Sequence, residues 1–130
     1  MKGTSAMKNA TILIVDDEME SLETISLGLE LKGYTVVTYN NPVEALEEIR
    51  QSAAGNKYNL FIIDIEMPQL RGDELIKSLR QENIPLPPII IMTGYHESEQ
   101  LKNLECDDII NKPTTINTID EHISRLVNND

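Results

Sequence analysis

Short apolar runs alternate with amphipathic stretches along the chain, and this alternation limits the possible folds more than any other feature. Between the runs, apolar residues recur at helical spacing, as Leu22, Ile25 and Leu29 do. Runs that are apolar throughout are typical of parallel strands covered by helices on both faces. The five runs lie at residues 11–15, 35–39, 60–63, 89–93 and, less clearly, 108–111.

Five strand–helix units in 130 residues predict an α/β fold. We expect a flavodoxin-like, doubly wound parallel sheet of five strands in the order 2-1-3-4-5. Asn41 and Pro42 are typical of a helix N-cap and first turn. The predicted helical stripes include Met19 and Val43, and a further short helix is expected at 100–104. In such sheets ligands bind beyond the carboxyl ends of the strands, so the residues after each strand are the candidates for a site.

Composition and charge limit the domain organisation, the ligands and the cellular location that we expect. Residues 1–8 are predicted to be a flexible lead-in and residues 9–130 a single domain. The net charge of −11 disfavours binding to nucleic acid or to an anionic membrane and favours cations. Cys106 is the one cysteine, which fits a reducing compartment. No apolar run reaches the ~18 residues of a membrane span, and the N-terminus lacks a signal-peptide core. A cytoplasmic location is the expectation.

Polar residues with complementary chemistry follow four of the strands. Asp16 and Asp17 follow the first, Asp64 the third, Thr93 the fourth and Lys112 the fifth. Three neighbouring carboxylates repel one another unless a cation compensates them. A hard divalent ion such as Mg²⁺ and the Lys112 ammonium are both available for this. The residues predict an acidic metal pocket whose rim suits the oxygens of a phosphoryl group.

The same strand ends carry four short motifs in a fixed order, and together they resemble a known family. They read Ile-Val-Asp-Asp-Glu at 14–18, Asp-Ile-Glu-Met-Pro at 64–68 with Gly72, Met-Thr-Gly at 92–94, and Asn-Lys-Pro at 111–113. This set resembles the receiver domain of bacterial response regulators, over residues from about Asn9 to Val127. The resemblance identifies residues 9–130 as a receiver domain of a two-component system.

The resemblance implies that a sensor histidine kinase or a phosphotransfer protein donates a phosphoryl group to Asp64. Mg²⁺ would be held by Asp17, Asp64 and the backbone carbonyl of Glu66, with Asp16 acting mainly through bound water. The chain would then catalyse only its own aspartyl phosphorylation and dephosphorylation, and would not otherwise be an enzyme.

The family also implies roles for Lys112 and Thr93 toward the phosphoryl oxygens, and a cis bond between Lys112 and Pro113. Phosphorylation would draw Thr93 inward and change the binding of a downstream effector protein, whose identity the sequence does not give. The chain would be a monomer or a phosphorylation-dependent dimer. Glu66 and Tyr95 would tune the lifetime of the acyl phosphate.

Some features depart from the family and keep alternatives open. Ile109 stands where many receivers have an aromatic residue, and the stretch from Thr93 to Lys112 is short, so the output mechanism does not follow from the resemblance. A pseudo-receiver that binds partners without phosphate is the main alternative. Asp16 and Asp17 taken alone could be a helix N-cap pair. His122 and His96 are interpreted as surface residues.

A phosphohydrolase of small substrates is disfavoured on two grounds. The stretch 64–68 departs from the Asp-x-Asp-x-Thr pattern of such enzymes, and the chain offers no cap domain. A flavin carrier is disfavoured because the acidic residues after the first strand would repel its phosphate.

Overall fold

A computed structural model of the chain describes residues 10–52, 57–94 and 105–127. It confirms the predicted sheet, which is parallel throughout, with strands in the order β2-β1-β3-β4-β5. The lead-in at 1–8, the short helix expected at 100–104, Tyr95 and His96 lie outside these residues. The strands are β1 (Thr11–Val15), β2 (Thr35–Tyr39), β3 (Leu60–Asp64), β4 (Ile89–Thr93) and β5 (Asp108–Asn111). The helices are α1 (Met19–Leu31), α2 (Pro42–Gln51), α3 (Gly72–Gln81) and α4 (Ile116–Val127).

The sheet separates two hydrophobic layers, because successive side chains of a strand point to opposite faces. In β3, Phe61 and Ile63 pack into the layer that α2 and α3 cover. Leu60 and Ile62 pack into the layer beneath α1 and α4. Every residue of β3 and β4 is buried. This two-sided burial explains why these strands are apolar without alternation.

Local signals predicted from the sequence begin α2 and end α1. The side chain of Asn41 accepts hydrogen bonds from the backbone N–H groups of Val43 and Glu44, and Pro42 is the first residue of α2. Gly33 follows α1 with a φ of 105°, a conformation that glycine adopts without a steric penalty.

Three side chains differ from their predicted environment. Met19 and Val43, which we placed on buried stripes, are 53% and 49% exposed. Each lies in the first turn of its helix, before the first residue of its predicted apolar stripe that is buried. His122, predicted to lie at the surface, is half-buried in α4 and contacts the Asp108 carboxylate of β5. Within the described ranges, no helix has the length and apolar character needed to cross a bilayer.

Candidate functional site

The register of the sheet places the polar strand ends next to one another. Val15 pairs with Ile63, so Asp16 and Asp64 are the next residues along two adjacent strands. Thr93 pairs with Asn111, and Lys112 follows directly. The backbone N–H of Lys112 donates to the carbonyl of Thr93 at 2.8 Å, which extends this pairing by one residue. The predicted set therefore comes from four neighbouring strands, β1, β3, β4 and β5, at one edge of the sheet.

Burial marks the same positions. Among the described residues, the polar or charged side chains classed as buried are Asp16, Asp64 and Thr93, each 3% exposed or less. Asp17 beside them is exposed. Asp16, Asp17 and Asp64 each contribute one carboxylate oxygen, and these three oxygens lie within 4.8 Å of one another. Burying like charges this closely is unfavourable without a compensating cation. The cluster could therefore hold a metal ion.

Among the described residues, Lys112 is the cation that forms ion pairs with this acidic cluster. Its Nζ atom lies 3.2 Å from Oδ1 of Asp64 and 3.5 Å from Oδ2 of Asp16. Burial would lower the pKa of Lys112, but the Asp64 and Asp16 carboxylates outweigh it and raise that pKa above its usual value. Lys112 is therefore a permanent cation at the edge of the site.

Asp64 is the least well satisfied carboxylate of the site. Its Oδ1 atom is buried and accepts no hydrogen bond from the described residues, since the 3.2 Å approach of the Lys112 ammonium is an ion-pair contact outside hydrogen-bonding geometry. Burial raises the pKa of Asp64 to about 7, the nearby Asp16 and Glu66 charges add to the rise, and Lys112 opposes it. A buried oxygen without a hydrogen bond fits an atom that binds a cation or bonds to a substrate.

Thr93 is held by the side chain of Glu66, a contact that sequence reasoning did not predict. The Thr93 hydroxyl donates to Oε2 of Glu66 at 2.6 Å, and the backbone N–H of Gly94 donates to Oε1 at 3.2 Å. Sequence analysis gave Glu66 a carbonyl role toward the metal and an influence on the acyl phosphate. Both of those roles stay predictions.

The loop after β3 is fixed against the sheet below Asp64. The N–H of Ile65 donates to the carbonyl of Met92 at 3.0 Å, and the N–H of Gly72 donates to the carbonyl of Ile65 at 3.1 Å. A Cβ atom on Gly72 would lie 2.3 Å from the backbone oxygen of Asp64, closer than real Cβ contacts. Only glycine fits here. Gly72 therefore allows the start of α3 to lie directly against the backbone of Asp64.

A groove of about 650 Å³ opens beside the site, between the start of α1 and the start of α4. Ile25, Met92 and Ile119 form part of its apolar floor, and Glu18 and Lys112 lie in its wall. The peptide bond between Lys112 and Pro113 in this wall is cis, as the resemblance implied.

The arrangement combines a buried carboxylate oxygen, an adjacent ammonium, a second acidic pair and a hydroxyl donor. The three side chains of the cluster each offer a carboxylate oxygen, which is the ligand type that hard divalent cations prefer. A positive charge beside a carboxylate oxygen, with a hydroxyl donor at the end of the adjacent strand, is a combination that can stabilise a phosphoryl group in transfer.

Comparison with known proteins agrees with this chemistry. Residues 12–124 match the family model described as the response regulator receiver domain. The chain is 36% identical over 105 residues to the transcriptional regulatory protein CpxR homolog of Haemophilus influenzae, covering 78% of this chain and 43% of that protein. It is 30% identical over 121 residues to the alkaline phosphatase synthesis transcriptional regulatory protein PhoP of Bacillus subtilis, covering 92% and 49%.

Among solved structures, the Francisella response regulator 1452 receiver domain superposes with a TM-score of 0.80 at 30% identity, covering 93% of this chain and 98% of that one. The chain spans less than half the length of the two curated relatives above.

Proposed function

The chain belongs to the family of response regulator receiver domains, and we propose that Asp64 accepts a phosphoryl group in a Mg²⁺-dependent reaction. The observation that carries this proposal is the buried Oδ1 atom of Asp64, which accepts no hydrogen bond from the described residues although Lys112 lies 3.2 Å away. This oxygen is accompanied by positive charge and is free to form a bond.

The residues around Asp64 fit a magnesium ion. Asp17 and Asp64 would hold it directly together with the Glu66 carbonyl, and Asp16 would act through bound water, which is the mixture of carboxylate and water ligands that Mg²⁺ adopts. When bound, the ion supplies positive charge to the oxygens of the transferring group.

The protein's own residues perform the remaining work. An oxygen of Asp64 attacks phosphorus and forms the P–O bond, while the P–N bond of a donor phosphohistidine breaks and its electron pair stays on the imidazole. Lys112 is positioned to neutralise a phosphoryl oxygen, and Thr93 to donate a hydrogen bond to another. The barrier is lowered by positioning and charge rather than by an additional acid or base.

The donor in this proposal is a sensor histidine kinase or a phosphotransfer protein, since receiver domains interact with sensor kinases and with downstream effectors. The chain turns over no separate substrate beyond its own phosphorylation and dephosphorylation. It acts in the cytoplasm, as a monomer or a phosphorylation-dependent dimer, by changing its affinity for an effector protein. Ile109, which is 36% exposed on β5, lies in place of the aromatic residue through which many family members signal.

Intact-mass spectrometry tests the acceptor directly. After incubation with acetyl phosphate and Mg²⁺, we expect an adduct of roughly 80 Da, the mass that one phosphoryl group adds. The adduct should be absent when Mg²⁺ is chelated and absent in Asp64→Asn.

If acetyl phosphate gives no adduct, the wild-type protein is titrated with beryllofluoride and Mg²⁺, and the NMR shifts of the amides around Asp64 are the readout. Failure of both ligands in wild type would contradict the proposal and favour the phosphate-independent pseudo-receiver. An adduct of equal yield in Asp64→Asn would show that the acceptor is a different residue.

A further inference from the structure

The Glu66 carboxylate already occupies a small anion-binding cradle at the end of β4. Each of its oxygens accepts one hydrogen bond, from the Thr93 hydroxyl at 2.6 Å and from the Gly94 N–H at 3.2 Å. Thr93 is almost fully buried, so its hydroxyl has little access to water. Hydrogen bonds to a charged acceptor are stronger than neutral ones, and a buried hydroxyl increases their value.

The backbone on both sides of this contact is fixed, whereas the Glu66 side chain has freedom to leave. The N–H of Ile65 donates to the carbonyl of Met92 in β4, and the N–H of Met67 donates to the carbonyl of Ile65, so the backbone on both sides of Glu66 is hydrogen-bonded. Glu66 itself is only half-buried, and among the described residues no atom lies within 4 Å of the position of a Cβ on Gly94. Rotation of the Glu66 side chain toward solvent would therefore release both donors without moving a strand.

The function proposed above has the Thr93 hydroxyl donate a hydrogen bond to a phosphoryl oxygen on Asp64, so the phosphoryl group and Glu66 would compete for that donor. A hydroxyl and a backbone N–H each carry a single hydrogen, so neither can fully serve two acceptors at once. The phosphoryl group and the Glu66 carboxylate are both anions and lie two residues apart along the chain, so they also repel each other. The two anions would therefore compete for the Thr93 hydroxyl and weaken each other's binding there.

We propose that Glu66 is a positioning residue that occupies the Thr93–Gly94 cradle in the unphosphorylated chain and is displaced when Asp64 is phosphorylated. The inference rests on the function proposed above and goes beyond the expected effect of Glu66 on the acyl-phosphate lifetime. It couples two equilibria: binding of the phosphoryl group and release of the Glu66 carboxylate. Glu66 therefore opposes phosphorylation by its ground-state contacts.

The test measures the affinity of Mg²⁺-beryllofluoride for wild type, Glu66→Ala and Glu66→Gln by titration, with amide NMR as the readout. Glu66→Ala frees both donors, and we expect roughly 5- to 50-fold tighter binding, the range that loss of charge-assisted competitor bonds predicts. Glu66→Gln keeps one acceptor oxygen and loses the charge, so its affinity should fall between the two. Without the analogue, the Gly94 amide proton should shift upfield in Glu66→Ala.

Two controls separate displacement from a general charge effect. Glu18→Gln removes one negative charge beside the groove but touches neither donor, and it should change the affinity less than about twofold, as expected for a partly screened charge. In a Thr93→Val background, which lacks the hydroxyl, the gain from Glu66→Ala should shrink because the contested donor is missing.

The outcomes distinguish this inference from the proposed function. Wild type that binds the analogue with the same affinity as Glu66→Ala overturns the inference and leaves the phosphoacceptor function standing. An unmoved Gly94 amide, an equal gain from Glu18→Gln, or a full gain retained with Thr93→Val also overturns it. Absence of binding in all variants contradicts the phosphoacceptor function itself, and the inference with it.

Discussion

Asp64 carries an energetic penalty that comes with its buried position. Burial raises the pKa of Asp64 from 3.8 to about 7. Between these values the unfolded chain has lost the Asp64 proton while the folded chain retains it. The free energy of unfolding must therefore fall as pH rises through this interval. The carboxylate is retained at a cost to stability, as is common for residues at functional sites.

Asp64→Asn is accordingly expected to stabilise the metal-free protein. At pH 8 the gain in free energy of unfolding should be roughly 2–4 kcal/mol, since each pKa unit corresponds to 1.36 kcal/mol. The gain should shrink steadily as pH falls through this interval and should be lost below the unfolded pKa of 3.8, where folded and unfolded states are both protonated at this site. Urea unfolding in EDTA at pH 5 and pH 8 measures it.

Glu20→Gln, at an exposed glutamate of α1, is the matched control and should change stability little at either pH. A pH-independent gain in Asp64→Asn would contradict the assignment of the penalty to the Asp64 charge.

Gly72 determines where Asp64 sits, and its replacement should show this. A Cβ there would lie 2.3 Å from the backbone oxygen of Asp64 and 3.0 Å from the Ile63 side chain. We expect Gly72→Ala to lower the free energy of unfolding by about 1–3 kcal/mol, as overpacking of a tight site does. The yield of phosphorylated Asp64 at a fixed acetyl phosphate exposure should fall as well.

Gly94→Ala is the comparison for stability, because no atom of the described residues lies within 4 Å of a Cβ there. Equal destabilisation by Gly72→Ala and Gly94→Ala would show that loss of glycine, rather than contact with Asp64, is responsible.

How much of the site could be predicted from sequence depends on what fixes each contact. Asp16, Asp64 and Lys112 were predictable because the ends of parallel strands meet at one edge whatever the side chains do. The hydrogen bond between Thr93 and Glu66 was not predictable, since it depends on one rotamer of the Glu66 side chain in a loop. The sequence pattern Asp-x-Glu, with a threonine ending the next strand, offers a signal for it only once the two loops are known to be adjacent.

At the level of elements, strands and helix starts were more predictable than helix faces. The apolar runs predicted the strand positions, most clearly those of β3 and β4, whose burial on both faces leaves a continuous apolar signal. Helical periodicity failed at Met19 and Val43, since the spacing of apolar residues alone does not reveal which turns of a helix are covered by the rest of the protein. The contact of His122 with Asp108 joins α4 to β5, and no local pattern encodes such a long-range pair.

The start of α2 gives an element-level prediction. Asn41→Ala removes the acceptor for the backbone N–H groups of Val43 and Glu44, which lie 2.9 and 3.2 Å from the Asn41 side-chain oxygen. We expect the free energy of unfolding to fall by about 1 kcal/mol, the usual cost of losing an N-cap. Urea unfolding followed by circular dichroism measures it.

Asn41→Asp retains the acceptor and should keep most of the stability. A loss in Asn41→Asp equal to that in Asn41→Ala would contradict the capping role.

For the whole molecule, an overall charge of −11 together with the Asp16–Asp17–Asp64 cluster predicts stabilisation by divalent cations. At a Mg²⁺ concentration a hundred times its Kd, the folded state should gain about 2.7 kcal/mol by mass action. Thermal unfolding with and without Mg²⁺ measures this. Asp17→Asn, which removes one carboxylate from the cluster, should lose most of the gain.

NaCl at matched ionic strength controls for screening of the net charge, which acts on the whole surface. Equal stabilisation by NaCl and Mg²⁺, or an undiminished gain in Asp17→Asn, would show that the cluster does not bind the ion.

The sheet that carries the site also separates the hydrophobic core into two layers that do not share side chains. Phe61 and Ile63 belong to one, Leu60 and Ile62 to the other, although the four alternate along a single strand. Close packing transmits a change in volume to direct neighbours, and here the backbone of the sheet stands between the two sets. Each layer can therefore be redesigned separately. The effects of two substitutions on the free energy of unfolding should be coupled when both lie in one layer and additive when the sheet lies between them.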